Sequence, residues 1–297
     1  MSATHDSRET VSFHRRSELL GVEVRTLRNS DRPWRRFATE FEFLAPSSWQ
    51  AQVWHRRREA VIAPGFVLCA QPGEVFAAER VLVRGSANSL MVDAKVLREY
   101  VAEHELPADR LRLRAVARMS NGLLSRLFEV FTMVRPGPTA MEIQASMVEF
   151  VAVLVSELLD ETGTPSSKPT HDSRAAERIR QCLHADPSVT IDLTTLAKQT
   201  GMSRFRVLRV FKRRFGLPPH TYQLQLRLGL AQKSLREGLH PAEVAAEYGF
   251  VDQSHLTRHF KRLLGVTPAQ YARVAAQQGP NEPLSVPDLE GSNAVAP

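Results

Sequence analysis

A chain of 297 residues, 43% of them hydrophobic and 24% charged, holds material for about two packed domains. Its two cysteines, Cys69 and Cys182, stand far apart without CxxC or Cys/His spacing, which argues for a reducing compartment and against a disulfide scaffold or a zinc site. The net charge of +7 is unevenly placed: residues 172 to 276 carry 17 Lys and Arg against 8 Asp and Glu, an excess of nine, leaving the rest near −2, as expected where one of two domains meets a polyanion.

The opening MSATHDSRETVSFHRRSELL is polar and contains acids, so no secretory or transit segment is expected there. The longest apolar run, MVEFVAVLVSELL (147 to 159), is short and interrupted by Glu, so a membrane span is not expected and a cytoplasmic location is. The N-terminal half of the chain begins by alternating like β structure. Phe37, Thr39, Phe41 and Phe43 fall at period two, as do Val81 and Val83, with turns at Pro46, Pro64-Gly65, Pro72-Gly73 and Gly85, a pattern that suggests a small sandwich or barrel. Phe37, Phe41, Phe43, Trp49 and Trp54 are candidates to line an apolar effector pocket, with plain core as the competing reading. HRRR (55 to 58) is either an acidic-ligand patch or a solvated turn.

From Asp93, a suitable N-cap, the period turns helical, with further helices near 119 to 134 and 139 to 161. The last of these aligns Ile143, Met147, Phe150, Leu154 and Leu158 on one stripe, suited to pairing with a second copy or to packing on its own barrel. TGTPSSKPTH (162 to 171) reads as a linker, and the tail QQGPNEPLSVPDLEGSNAVAP as disordered. The expected division is residues 1–164, a linker at 165–172, a helical domain at 173–276 and a tail at 277–297.

Inside the helical domain a single basic element occurs twice, 49 residues apart. GMSRFRVLRVFKRRFGLPPHTY (201 to 222) and GFVDQSHLTRHFKRLLGVTPAQY (249 to 271) match at Arg209/Arg258, Phe211/Phe260, Lys212/Lys261, Arg213/Arg262, Gly216/Gly265, Pro219/Pro268 and Tyr222/Tyr271. Ser203 and Asp252 are good N-caps, and Gly216 and Gly265 good terminators. On a helical wheel Val207, Phe211 and Phe215 share one arc and Arg209 and Arg213 the opposite one, while Leu256, Phe260 and Leu264 oppose Ser254, His255, Arg258, Lys261 and Arg262. DLTTLAKQTG (192 to 201) and HPAEVAAEYG (240 to 249) supply a preceding short helix and a Gly-containing turn, completing two helix-turn-helix units. PPHTYQLQLRLGLAQKSLREG (218 to 238) reads as a connecting helix of about 30 Å, close to the roughly 34 Å between successive major-groove faces.

These residues resemble the AraC/XylS family of bacterial transcription regulators. The signature runs through Ala197, Gly201, Ser203, Arg209, Phe211, Gly216, Pro219, Tyr222, Arg227, Ala231, Leu235, Gly249-Phe250, Arg258, Phe260, Lys261, Gly265, Thr267-Pro268 and Tyr271. The resemblance implies a sequence-specific regulator, an activator responsive to an effector, that binds promoter DNA, meets RNA polymerase, forms a homodimer and works in the cytoplasm at the nucleoid. Base contacts would fall on Phe205, Arg206, Leu208 and Arg209 in the first reading helix, with Arg213 beside them, and on Gln253, Ser254, Thr257 and Arg258 in the second. Leu208 departs from a hydrogen-bonding pattern, since an apolar side chain can touch only a thymine methyl.

A weaker likeness, APGFVLCAQPGEVF (63 to 76), is to the cupin-like sensing domain of many relatives, so the fold class implied is α+β, a cupin-like barrel with helices followed by an all-α double helix-turn-helix domain. Phe76 stands where several branches carry His, and His55 is the only imidazole nearby, so no metal, cofactor or catalytic residue is expected. A DNA-repair alkyltransferase with a fused helix-turn-helix is the alternative, and it would need a cysteine cluster.

Overall fold

A computed structural model describes residues 9–14, 21–103, 113–133, 138–158 and 171–276. The expected tail at 277–297 lies outside them, as does the linker apart from its last two residues. Those two, His171 and Asp172, already open a helix.

The N-terminal half builds two antiparallel sheets. The larger contains β1 (Thr10–His14), β2 (Val22–Ser30), β4 (Phe41–Pro46), β7 (Phe66–Ala70), β9 (Gly85–Val92) and β10 (Val116–Arg118), in the order β1-β2-β9-β4-β7-β10. The smaller contains β3 (Trp34–Phe37), β5 (Gln50–His55), β6 (Arg58–Ile62) and β8 (Val75–Val83), in the order β3-β8-β5-β6. Between the sheets, Leu44, Trp49, Val53, Ile62, Leu68 and Phe76 fill the interior. The other face of the larger sheet is covered by α1 (Ala94–Glu103), α2 (Asn121–Met133) and α3 (Ala140–Leu158), and Asp93 caps α1 by accepting from the Lys95 amide at 2.8 Å. Every residue of β4 is buried, because its sheet is covered on both sides.

Three expectations change here. The period-two run from Phe37 to Phe43 is not one strand: Phe37 ends β3 of the smaller sheet and Phe41 opens β4 of the larger one, so the alternation crosses from sheet to sheet. The stripe Ile143, Met147, Phe150, Leu154 and Leu158 is 0–1% exposed and packs on its own sheet and α2, with Phe43 edge-on to Phe150 at 5.7 Å, so it is core and not an available dimer seam. The physical reason is that the larger sheet has an apolar outer face that must itself be covered. The five aromatic residues offered as one pocket lining are likewise divided. Phe41 and Phe43 join the helix-covered core, Trp49 the barrel interior, and Phe37 and Trp54 pack against the C-terminal half.

The HRRR segment is a hairpin turn, with Arg56 at φ 47° and Arg57 at φ 66°. Arg56 is turned inward: it and His55 donate to Glu74 at 2.7 and 3.0 Å. Burial works to raise the Glu74 carboxyl, but the hydrogen bonds from His55 and Arg56 prevail and bring it to about 2.

The C-terminal half comprises α4 (His171–Ala185), α5 (Leu193–Thr200), α6 (Arg204–Phe215), α7 (Pro219–Arg236), α8 (Pro241–Glu247), α9 (Gln253–Leu264) and α10 (Pro268–Ala276). Two cores lie along α7. One gathers Ile179, Leu183, Leu196, Val207, Phe211 and Tyr222; the other gathers Leu228, Ala231, Leu235, Val244, Leu256, Phe260 and Tyr271. Phe13 of β1 enters the second, edge-on to Tyr271 at 5.4 Å. No helix among the described residues is long and apolar enough to cross a membrane.

Candidate nucleic-acid interface

Each unit is built by local rules. Asp192 caps α5 by accepting from the Thr195 amide at 2.7 Å, and Gly201 ends it in the left-handed region at φ 66°. Ser203 then caps α6 through the Arg206 amide at 3.3 Å, and Gly216 closes it at φ 79°. In the second unit His240 and Glu243 form a capping box on α8, Gly249 makes the turn at φ 69°, Asp252 caps α9 through the His255 amide at 2.6 Å, and Gly265 closes it at φ 80°.

The burial of α6 and α9 follows the wheel. Val207 and Phe211 are fully buried in one helix and Leu256 and Phe260 in the other, which turns the basic arcs outward. Phe205, Arg206, Arg209 and Arg213 are exposed on α6 with Leu208 half-buried, and Gln253, Ser254 and Arg258 are exposed on α9 with Thr257 half-buried. Phe205 is 84% exposed and Val251, in the turn before α9, 86%. An apolar group left so bare at the leading end of each basic helix is suited to a thymine methyl.

The helix α7 joins the units rigidly. Over its 18 residues it spans about 27 Å. Its buried Arg227 donates to the carbonyls of Pro187 (2.5 Å), Ser188 (2.9 Å) and Gly249 (3.0 Å) and to the Thr190 hydroxyl (3.1 Å). One guanidinium thus ties the loop between α4 and α5 to the turn of the second unit. Gln223 adds a bond to the Val189 carbonyl at 2.6 Å.

The N-terminal half grips both units. Arg35 lies over the Trp54 ring at 5.0 Å and donates to the Gly216 carbonyl at 2.7 Å, closing on the C-terminal end of α6. Any Cβ at Gly216 would overlap the Trp54 ring. Toward the second unit Tyr271 donates to Glu23 at 2.7 Å, and Arg236 makes a forked ion pair with Glu40. These charges surround a cavity of about 30 Å3 lined by Glu23, Arg25, Glu40, Glu42 and Arg236, which has room for water and not for an organic effector.

One electrostatic feature divides the units. Asp172, at the start of α4, accepts from Arg206 at 2.9 Å through one oxygen and from Arg213 at 2.8 Å through the other. The Arg206 hydrogen bond first, with Arg213 beyond it, holds this carboxyl below its ordinary range. On α9, Arg258, Lys261 and Arg262 have no ion-pair partner among the described residues. Near them His259 is lowered to about 4 by partial burial and by His255, Arg262 and Arg258.

Asp172, Arg227 and Val251 are the residues that sequence reasoning left without a role. Arg227 was legible as a signature position, and Val251 as an apolar residue in an otherwise polar turn. The reach of Asp172 to arginines 34 and 41 residues away has no local signal. The thiol of Cys69 is fully buried and pushed up to about 12, the reverse of an activated methyl acceptor, and Cys182 packs against a different core.

A two-domain molecule with a pair of helix-turn-helix units behind a small barrel is a DNA-binding regulator in its architecture. A helix-turn-helix domain family matches residues 196–273. A probable transcription factor of Proteus vulgaris, PqrA, is 35% identical over 82 residues, 27% of this chain and 67% of its own. A putative AraC-like transcription regulator of Streptomyces lividans is 36% identical over 93 residues, and the match spans only 31% of either chain. The regulator YbfI of Bacillus subtilis is 26% identical over 206 residues, 67% of this chain and 72% of the relative. Among solved structures, apo ToxT from Vibrio cholerae shares the fold with a TM-score of 0.51 at 12% identity, covering 86% of this chain and 98% of its own, with a cupin-like barrel before the helical domain. The chain belongs to the AraC-type family of helix-turn-helix transcription regulators.

Proposed function

We propose that this regulator reads two successive major-groove segments of promoter DNA, with Phe205, Arg206, Leu208, Arg209 and Arg213 of α6 in one and Gln253, Ser254, Thr257 and Arg258 of α9 in the other. The observation that carries the reading is the pair of outward basic helices fixed to one rod, α7, by Arg227. About 27 Å of helix plus the reach of the flanking side chains matches the roughly 34 Å repeat of groove faces on one side of the duplex. In this reading the arginines address guanine edges or phosphates, Gln253 addresses adenine, and the remaining cations position the protein on the backbone.

The N-terminal half acts as a regulator of that geometry and not as a catalyst, because its contacts reach both units at once. An effector would work by changing the seam at Arg35, Trp54, Glu23 and Glu40. The protein pairs with a second copy through a surface other than the buried Ile143 to Leu158 stripe, meets RNA polymerase at the promoter, and does so in the cytoplasm at the nucleoid.

Titration of the full chain onto a duplex enriched from a random pool, at salt from about 50 to 200 mM, tests the reading. With six or more phosphate contacts the affinity should fall by about a thousandfold or more over that range. A flat response contradicts it. Sedimentation of the same preparation should show a dimer, and a monomer at micromolar concentration on paired half-sites contradicts the pairing.

A further inference from the structure

The flank of α6 nearest α4 carries two arginines already occupied by a carboxylate. Arg206 and Arg213 are seven residues apart and so stand two turns apart on the same side of the helix. Both reach Asp172, each taking a different oxygen, at 2.9 and 2.8 Å. All three side chains keep solvent access, at 48% for Arg206, 58% for Arg213 and 28% for Asp172, so phosphate or base edges can compete for the arginines. Holding α4 to α6 does not require this bridge, because Ile179 and Leu183 already pack with Val207 and Phe211 in a shared core, and exposed ion pairs add little to such a contact.

We propose that Asp172 is a specificity-determining residue of the first reader, acting through Arg206 and Arg213. The carboxylate reduces the flank from two positive charges to one and repels a phosphate that approaches it. It can be displaced at low cost only where DNA offers acceptors to both arginines together. On a mismatched duplex one or both arginines stay with Asp172, and backbone attraction is correspondingly weaker. This is a repulsive element directed against wrong sites, the complement of contacts made to the right one. By the 49-residue offset, the positions on α9 that correspond to Arg206 and Arg213 are His255 and Arg262, of which only the second is an arginine. The second flank therefore carries one arginine, with no acid paired to it among the described residues, whereas the first carries two arginines and Asp172 between them.

The proposal rests on α6 being a reader, and the experiment separates the two. Full-length wild type is first used to enrich a duplex of about 30 base pairs, some three helical turns, from a randomised pool. Failure to enrich any sequence overturns the reader assignment, and this proposal with it, before any variant is made. Asp172→Asn and Asp172→Glu are then compared with wild type on the enriched duplex and on a scrambled duplex of equal composition. Asp172→Asn should bind the scrambled duplex about 3- to 10-fold more tightly near 0.1 M salt, with the log–log salt slope steeper by about one phosphate contact. Its affinity for the enriched duplex should change less, so that the ratio between the two falls, and Asp172→Glu should restore that ratio. If Asp172→Asn leaves ratio and slope unchanged, or weakens both duplexes equally, the carboxylate is only an anchor for α4 and the proposal is wrong.

Discussion

The two helix-turn-helix units share a sequence pattern and differ in what surrounds it. The first has its arginines bridged by Asp172 on one flank and its far end closed under Arg35 and Trp54. The second leaves Arg258, Lys261 and Arg262 without an ion-pair partner among the described residues and is gripped from behind, where Phe13 and Tyr271 pack and Glu23 accepts the tyrosine hydroxyl. Duplication thus preserved caps, turns and apolar arcs, which are local, while tertiary contacts made the copies unequal.

The strongest way to break the pair is to remove what joins it. Arg227→Met leaves the carbonyls of Pro187, Ser188 and Gly249 without this donor in a half-buried setting. An orphaned group costs roughly 1–3 kcal/mol, and at the low end of that range for half-buried groups the three together lose about 3 kcal/mol, read as a lower midpoint in thermal unfolding of the helical half. The turns give a sharper contrast. At Gly249 a Cβ would overlap the Ser188 carbonyl, whereas at Gly201 nothing lies within reach. Both sit at positive φ, so Gly201→Ala should cost about 1–2 kcal/mol from the backbone alone. Gly249→Ala should cost about 3 kcal/mol once the overlap is added. Equal losses would mean that the units are packed alike.

A smaller effect concerns pH. The folded pKa of His259 is lowered to about 4, so the unfolded chain binds the proton more readily. Stability from this group is complete above its unfolded value near 6.5 and is lost as pH falls from there toward 4. His259→Gln should flatten that decline by on the order of 1 kcal/mol, discounted for the ring's partial exposure, as followed by unfolding at pH 7, 6, 5 and 4.5.

Much of this comparison was legible in the chain itself. Ser203, Asp252, Gly216 and Gly265 mark helix ends because capping is a matter of residues three or four positions apart, and the alternation of Val207 and Phe211 with Arg209 and Arg213 fixes which face turns outward. The barrel was legible as β structure, but not the change of sheet between Phe37 and Phe41, since period two continues through the residues that connect them. The stripe from Ile143 to Leu158 shows that an apolar face states a need for cover and not what supplies it. Asp172, Arg236 with Glu40, and Tyr271 with Glu23 join residues that only folding brings together, and no local pattern reports them.

The central claim is that α6 and α9 each read bases, in grooves one turn apart. It is tested most directly by interference footprinting of the full-length protein on its enriched duplex, repeated with Arg209→Ala and with Arg258→Ala. Each variant should weaken specific binding by about 1–3 kcal/mol and lose base preference at one cluster only, the two clusters lying about 10 base pairs apart. Uniform weakening on every sequence, or loss at the same cluster from both variants, would contradict the account.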